Sequence, residues 1–243
     1  MKTITYDYDD GSTKCRGYLA YTKQNAPLVL VAHAWRGQDD FARMQAEKLA
    51  EKGYAGFAID MYGDGLCVEN DQAASMMAPF FLERHLLRKR IQAALDFGSS
   101  LREVDSKRCG AIGFCFGGLC VYELLCSGAK IDAAISFHGV FADEFDSHHA
   151  KLAPIAAGVK GQLLLLHGDL DPMVSQEDLA RLRRNLTEKE VDWQLHIFGG
   201  AMHAFTNPMA QNPEAGTVYH PSACQRAFEL ADAHLAASLL ERD

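Results

Sequence analysis

The sequence predicts an α/β protein in which a mostly parallel sheet of about eight strands carries helices on both faces. Short apolar runs alternate along the chain with amphipathic segments, a pattern that indicates right-handed crossovers between parallel strands. The 243 residues are 48% apolar and 23% charged, which is ordinary for a globular chain and excludes disordered and coiled-coil classes. No internal repeat or low-complexity linker divides the chain, so we predict a single domain over residues 1–243.

The first two predicted strands, Thr3–Tyr8 and Cys15–Tyr21, are joined through the turn sequence Asp9-Asp10-Gly11. Because the connection is so short, these strands should pair antiparallel at one edge of the sheet. The other predicted strands are short, mainly apolar runs of the kind that a parallel sheet buries on both faces. They are Leu28–Ala32, Ala55–Ile59, Arg108–Phe114, Ala133–Phe137, Gln162–His167 and Val191–Phe198.

The predicted helices that connect these strands are about Phe41–Lys52, Pro79–Ser99, Phe116–Cys126, Ser175–Lys189 and Ser222–Leu240. Apolar residues recur on one stripe of the second segment, whereas the third segment is apolar nearly all round and should be buried. Gly53 ends the first helix, and Ser175 is the predicted N-cap of the fourth.

Composition excludes several classes of function. Lys plus Arg is 24 and Asp plus Glu is 32, a net charge of −8 without a basic run, so nucleic acid is not an expected partner. The longest apolar runs are far shorter than the roughly 20 residues of a membrane-spanning helix. The acidic start of the chain does not resemble a signal peptide. The seven cysteines are an odd number in a large chain, which indicates reduced thiols rather than a disulfide framework. We therefore expect a cytoplasmic protein.

The strongest chemical signal is the segment 113–118, GFCFGG, which joins a predicted strand to a predicted buried helix. It fits the pattern of a nucleophile elbow with Cys115 in the place usually held by serine. The chain must turn sharply there, and glycines on both sides remove side chains that would clash. The helix N-terminus would then favour a thiolate and a developing oxyanion. The alternative is a buried structural cysteine beside a tight turn.

A cysteine nucleophile requires a base and a group that orients the base. The segment 167–174, HGDLDPMV, follows a predicted strand and offers Asp171 as the acid, while Asp169 is better suited to hydrogen bonds within the turn. The glycine-rich segment 199–205, GGAMHAF, follows the last predicted strand and offers His203 as the base. All three residues stand at carboxyl ends of strands, where open α/β sheets place their sites.

These motifs, with the strand LVLVAHAWRG and the segment AGFAIDMYGDG, resemble the dienelactone hydrolase family of the α/β-hydrolase superfamily over essentially the whole chain. The resemblance implies an α/β-hydrolase fold and a Cys115-His203-Asp171 triad that hydrolyses an ester or lactone through an acyl-cysteine. It also implies an oxyanion hole formed by the backbone N–H groups of Phe116 and Trp35, and no cofactor. Specificity would then reside chiefly in loops at about Leu66–Phe81 and Val140–Lys160.

The chain departs from the family pattern in two segments. Family members that cleave dienelactone usually carry a glutamate where this chain has Ala34, and an H-S-F-x-R motif where it has Ala204 and Asn207 in place of Ser and Arg. These departures argue against dienelactone itself as the substrate. Arg36 could supply a replacement cation for substrate binding, the alternative being a surface salt bridge.

Other side chains are expected near the nucleophile. Trp35, Phe116 and Phe205 would surround it and form an apolar acyl pocket. His138 follows a buried strand and is either a pocket-lining, substrate-binding residue or a structural histidine with satisfied hydrogen bonds. His33 adjoins the predicted oxyanion loop and should orient it through hydrogen bonds.

Two groups of residues could be interpreted as metal ligands. Cys115, Cys120 and Cys126 share one helix, but their spacing turns the thiols to different sides. The second group lies in one polar loop, which a solvated surface explains better, and consists of Asp143, Asp146, His148 and His149. We predict no metal.

Two alternatives to a general ester or lactone hydrolase remain open at this stage. One is hydrolysis of dienelactone proper, the carboxymethylenebutenolidase reaction. The other is a protein that senses oxidants through Cys115 and does not hydrolyse anything. The complete triad favours hydrolysis, because sensing requires no His203–Asp171 pair. The expected partner is therefore a small-molecule ester or lactone, and the sequence leaves the oligomeric state open.

Overall fold

The computed structural model describes residues 1–141, 144–145, 148–149 and 152–240. Its strands are β1 (Lys2–Asp9), β2 (Lys14–Tyr21), β3 (Ala26–Ala32), β4 (Ala55–Ala58), β5 (Val104–Phe114), β6 (Ala133–Phe137), β7 (Glu144–Phe145), β8 (His148–His149), β9 (Gln162–Gly168), β10 (Asp192–Phe198), β11 (Gln211–Asn212) and β12 (Thr217–Val218). Its helices are α1 (Asp40–Glu51), α2 (Asn70–Leu82), α3 (Arg84–Ser100), α4 (Phe116–Cys126), α5 (Gln176–Glu188) and α6 (Pro221–Leu239). In the described ranges, no helix combines the length and the apolar character that crossing a bilayer requires.

Eight strands form one sheet in the order β1-β2-β4-β3-β5-β6-β9-β10. Every pairing from β4 to β10 is parallel, whereas β2 pairs antiparallel with both β1 and β4. The predicted fold class and the antiparallel pair at one edge are therefore confirmed. Two small ribbons, β7-β8 and β11-β12, stand outside this sheet.

Helices cover both faces of the sheet and enclose two apolar cores. Alternation along β5 assigns Ala111 to one core and Ile112 to the other. The first core receives apolar side chains from α2 to α5, such as Leu119, and the second receives Leu49 of α1 and Leu235 of α6. Because the central strands run in parallel, the carboxyl ends of β3, β5, β9 and β10 meet at one edge of the sheet.

The prediction of one continuous helix over Pro79–Ser99 was wrong. The segment contains the end of α2 and all of α3, and the chain leaves the helical conformation at Glu83, where φ is −123° and ψ is 81°. Phe80 of α2 and Leu87 of α3 are both buried in the same core, so the apolar periodicity continues across the break. Most of the segment Leu66–Phe81, predicted as a loop, is accordingly the helix α2.

Helix α1 packs closely on β4 through a glycine. A Cβ at Gly56 would lie 2.3 Å from the carbonyl oxygen of Ala46 and 2.7 Å from its Cα. These are backbone atoms, so the helix itself would have to shift to accept a methyl group.

We expect Gly56→Ala to lower the free energy of unfolding by about 2–3 kcal/mol, because α1 must move away from the sheet. The matched control is Gly199→Ala, since a Cβ at Gly199 meets no atom within 4 Å. Urea denaturation of both variants measures the difference. Equal stabilities for the two variants would contradict this account of the α1–β4 contact.

Candidate active site

Cys115 occupies a strained turn between β5 and α4. Its φ of 55° and ψ of −115° lie in a region that non-glycine residues rarely adopt, at a cost of about 1–3 kcal/mol. The Cys115 N–H donates to the carbonyl of Phe137 at 3.0 Å and to Nδ1 of His138 at 3.2 Å. The Cys115 carbonyl accepts from the N–H of Gly118 at 2.9 Å. The side chain is half-buried, so the turn presents the thiol at the carboxyl edge of the sheet.

The glycines beside Cys115 allow backbone segments to approach each other closely. A Cβ at Gly113 would lie 2.0 Å from the carbonyl oxygen of Gly117, and one at Gly117 would lie 2.1 Å from the carbonyl oxygen of Ala32. Any side chain at these positions would therefore separate α4 from β5 and β3. The glycines of the segment 113–118 are therefore required by close backbone packing around the turn, which agrees with the prediction that side chains there would clash.

Asp171 and His203 form a buried hydrogen-bonded pair beyond β9 and β10. His203 Nδ1 lies 2.7 Å from Oδ2 of Asp171, and Oδ1 of the same carboxylate accepts from the N–H of Met173 at 2.9 Å. Because the carboxylate accepts, Nδ1 of His203 carries a proton. The other carboxylate considered in this turn, Asp169, is exposed. The acid that contacts the histidine is therefore Asp171.

The second nitrogen of His203, Nε2, is buried and forms no hydrogen bond of standard geometry with any residue that the structure describes. Burial opposes protonation of His203, but the neighbouring Cys115 sulfur and the Asp171 carboxylate outweigh burial and raise the pKa of the imidazole to about 10. This arrangement favours transfer of a proton from Cys115 to Nε2.

Two backbone N–H groups, one directly after Cys115 and one in the loop after β3, are available to a ligand. Within the described part of the chain, the N–H of Phe116 at the start of α4 and the N–H of Trp35 beyond β3 have no hydrogen-bond acceptor. The N–H of Cys115, in contrast, is occupied by protein acceptors. These two free donors are the N–H groups for which the family resemblance implies a role in an oxyanion hole.

Hydrogen bonds hold the segment that carries the Trp35 N–H. His33 Nδ1 donates to the carbonyl of Ala34 at 2.6 Å, and its Nε2 accepts from the N–H of Met61 at 3.2 Å. Burial lowers the pKa of His33, which keeps the ring neutral with its proton on Nδ1. The Ala34 carbonyl and the Trp35 N–H belong to one planar peptide, so anchoring the first fixes the direction of the second. His33 thus orients this loop through hydrogen bonds, as predicted.

Tyr62 supports the same loop and was missed by the sequence interpretation. Its hydroxyl donates to the carbonyl of Trp35 at 2.5 Å, and its ring packs edge-on against His33 with centroids 4.9 Å apart. The buried Asp60 carboxylate accepts the N–H groups of Tyr62 and Gly63 at 3.0 and 2.8 Å, which fixes the segment that carries the phenol. The only sequence signal was the position of Tyr62 just after a predicted strand.

Two residues predicted to line the substrate pocket do not do so. His138 is buried, and both ring nitrogens are paired, Nδ1 with the Cys115 N–H and Nε2 with the Thr206 hydroxyl at 2.8 Å. It is therefore the satisfied structural histidine of the two alternatives. The Phe205 ring has no exposed surface, because it packs into the core against His138 and Phe198.

The predicted apolar pocket also needs correction at Phe116. Its side chain is fully buried under the turn, so only its backbone N–H can face a ligand, whereas the Trp35 side chain is 38% exposed.

Arg36 donates from Nε to the carbonyl of Val68 at 2.9 Å, and its Nη2 lies 3.6 Å from the Glu69 carboxylate. The Arg36 side chain thus forms the surface ion pair that was the alternative to a binding role.

The described residues contain no group of three or more His, Cys, Asp or Glu side chains placed to hold a metal ion. Of the loop considered as a metal site, Asp143 and Asp146 and the side chains of His148 and His149 lie outside the described residues.

Comparison with known proteins identifies the family that this geometry matches. A model of the dienelactone hydrolase family matches residues 15–238. A protein of Aquifex aeolicus (strain VF5), provisionally named carboxymethylenebutenolidase, is 29% identical over 231 residues, 93% of this chain and 94% of that protein. The crystal structure of a dienelactone hydrolase-like promiscuous phosphotriesterase from metagenomic libraries is 31% identical, with a TM-score of 0.89 and coverage of 98% of both chains. A dienelactone hydrolase from Anabaena variabilis shares the fold, with a TM-score of 0.69 and 21% identity.

We expect the imidazole of His203 to remain protonated well above pH 8 in the wild type and to titrate at a lower pH in Cys115→Ala. The sulfur of Cys115 is the strongest of the groups that raise the pKa of His203, so its removal leaves burial to favour the neutral ring. Histidine resonances followed by NMR from pH 5 to 10, roughly the range between the ordinary and raised values, measure this change. The His203→Gln variant assigns the signal, and identical titrations in wild type and Cys115→Ala would show that no such charge interaction exists.

Proposed function

The chain belongs to the dienelactone hydrolase family, whose members are carboxylic ester hydrolases, and from this premise we propose that it cleaves an ester or lactone of a small molecule through an acyl-cysteine. The proposed triad is Cys115, His203 and Asp171. The observation that supports it most strongly is the 2.7 Å bond between His203 and Asp171 at the edge of the sheet where the strained Cys115 stands.

In the first half of the proposed reaction, Nε2 of His203 already holds the proton of the thiol, and the Cys115 sulfur attacks the carbonyl carbon of the substrate. The carbonyl oxygen becomes an oxyanion between the N–H groups of Phe116 and Trp35. Each such donor contributes roughly 3 kcal/mol of transition-state stabilisation. Asp171 holds the imidazole in the required tautomer and stabilises its positive charge.

The tetrahedral intermediate then expels the alkoxide or enolate, which receives the proton from His203 and leaves an acyl-cysteine thioester. His203 next removes a proton from water, the hydroxide attacks the thioester, and collapse releases the carboxylic acid and the Cys115 thiolate. The imidazole keeps the proton that it took from water, so the starting pair of sulfur and protonated His203 is restored. A sulfur nucleophile suits activated esters, enol-lactones and thioesters, because the attacking thiolate is itself a good leaving group.

The surroundings of the thiol favour a neutral substrate over dienelactone, which carries a carboxylate. Ala34 and Asn207 bring no charge to the positions where dienelactone-cleaving members carry Glu and Arg. Arg36 is engaged by Val68 and Glu69. Exposed apolar side chains stand instead on the segments that carry the site: Trp35 after β3, and Leu170 and Met173 before and after Asp171 in sequence, 52% and 37% exposed.

A phosphotriester is the second candidate substrate. The structural relative with 31% identity over almost the whole chain is described as a promiscuous phosphotriesterase. Such esters are neutral and apolar, which suits the site described above, and the same two N–H groups could stabilise a negatively charged phosphoryl oxygen.

We expect wild type to hydrolyse p-nitrophenyl butyrate and an acyl thioester faster than dienelactone, and Cys115→Ala to lose at least about 1,000-fold of every activity. The panel also includes p-nitrophenyl acetate and a neutral aryl phosphotriester. A burst of nitrophenol equal to the enzyme concentration would report the acyl-cysteine. Full activity in Cys115→Ala would refute the triad, and a folded protein with a reactive Cys115 but no hydrolysis would favour redox sensing.

We expect Tyr62→Phe to lower kcat about tenfold with little change in KM, because the loop loses a hydrogen bond at the Trp35 carbonyl, directly after the N–H that would bind the oxyanion. The matched control is Tyr18→Phe, which removes a phenol hydroxyl bonded to Glu47 rather than to the oxyanion loop. Steady-state kinetics on p-nitrophenyl butyrate compare the two. An equal kcat for Tyr62→Phe and wild type would exclude this role for the phenol.

A further inference from the structure

We infer that His138 is a positioning residue that holds the amide of Cys115 and ties it, through Thr206, to the loop that carries His203. This inference rests on the proposed function. His138 follows β6 directly and adopts a φ of 41°, so two strained non-glycine residues stand side by side in the site.

The hydrogen bonds of His138 define a single tautomer. Nδ1 accepts from the Cys115 N–H at 3.2 Å, so the proton must reside on Nε2. Nε2 then donates to the Thr206 hydroxyl oxygen at 2.8 Å. One neutral ring therefore links the nucleophile turn to a residue three positions beyond His203.

Packing keeps this ring in place. The side chain is buried, and its centroid lies 5.1 Å from that of His203 and 5.2 Å from that of Phe205, both in edge-on geometry. The backbone N–H of His138 donates to the carbonyl of Leu166 in β9 at 2.8 Å. The histidine is thus fixed by the sheet on one side and by the His203 loop on the other.

The electrostatic surroundings keep the ring neutral. Burial and the positive charge on nearby His203 hold the pKa of His138 well below its ordinary value, and His167 adds to this effect. A protonated ring would lose the acceptor at Nδ1 and place a second positive charge beside the imidazolium of His203. The link therefore persists during proton transfer from Cys115.

The position of the link explains why it should matter for the reaction. Cys115 and His203 stand on segments that are about ninety residues apart in sequence, so only non-covalent contacts keep the two side chains aligned. A displacement of about 1 Å between a nucleophile and its base can cost a hundredfold in rate. His138 bonds to one of these segments and, through Thr206, to the other.

Three substitutions at His138 separate its two hydrogen bonds. In His138→Asn, an Oδ1 near the former Nδ1 can still accept from Cys115, and asparagine tolerates the positive φ. His138→Gln retains a donor toward Thr206, and His138→Leu removes both bonds. We expect kcat with p-nitrophenyl butyrate to fall about 30- to 100-fold in His138→Leu at nearly constant KM, and about tenfold in His138→Asn and His138→Gln, each of which keeps one of the two bonds.

Thr206 supplies a second, independent test. Thr206→Val keeps the shape of the side chain but removes the acceptor, and Thr206→Ser keeps the hydroxyl. We expect about a tenfold loss of kcat in the first variant and near wild-type values in the second. Combined with His138→Leu, Thr206→Val should cause little further loss, because the two residues act through one hydrogen bond.

The rate of alkylation at Cys115 provides a readout that needs no substrate. Iodoacetamide labelling of the Cys115 peptide, quantified by mass spectrometry, should slow several-fold in His138→Leu and Thr206→Val, recover in part in His138→Asn and recover fully in Thr206→Ser. Thermal unfolding establishes the folded fraction, and all rates are expressed per folded molecule. If wild type hydrolyses none of the esters, the proposed function fails, while the alkylation series still tests His138.

Unchanged kcat and alkylation in folded His138→Leu and Thr206→Val would overturn the inference. Equal losses in His138→Asn and His138→Leu would also overturn it, because the acceptor for the Cys115 N–H would then be irrelevant.

Discussion

The strained backbone of Cys115 is the constraint on which the rest of the site depends. A non-glycine residue at φ 55° and ψ −115° persists only where the surrounding structure holds it. Here the turn is held below by the close packing that Gly113 and Gly117 permit, and laterally by hydrogen bonds from its N–H to Phe137 and His138. Because these bonds occupy the N–H of Cys115, the next N–H along the chain, that of Phe116, is the one left free beside the thiol.

The buried histidines around the site differ in protonation state because they have different partners. His203 has a carboxylate on one nitrogen and the Cys115 sulfur near the other, so the charged form is favoured. His33 and His138 each accept a backbone N–H and lack a carboxylate partner, so burial keeps them neutral. Histidine is therefore found here in a charged form, at His203, and in a neutral form that accepts a backbone N–H, at His33 and His138.

The proposed preference for a neutral substrate rests on the residues around the site. The chain belongs to the family, but Asn207 stands where the arginine that would hold a substrate carboxylate is expected, and Ala34 stands where a glutamate that acts on the cysteine is expected. Phe205 is buried and therefore adds no apolar surface, and Arg36 is paired with Glu69 and therefore offers no free charge to a substrate. Trp35 contributes part of that surface, which would accept a neutral group more readily than an anion.

The sequence by itself determined the fold class, the elbow at Cys115, and the pairing of Asp171 with His203. Each of these follows from a local pattern: the periodicity of apolar residues, the spacing of glycines, or the position of a residue just after a strand. It could not reveal the break at Glu83, since the apolar stripe runs across it, nor that Phe205 turns into the core. The link between His138 and the loop after His203, like the bond from Tyr62 to Trp35, was decided only by tertiary structure. Each joins segments remote in sequence, and no local pattern records which buried donor meets which acceptor once the strands are assembled.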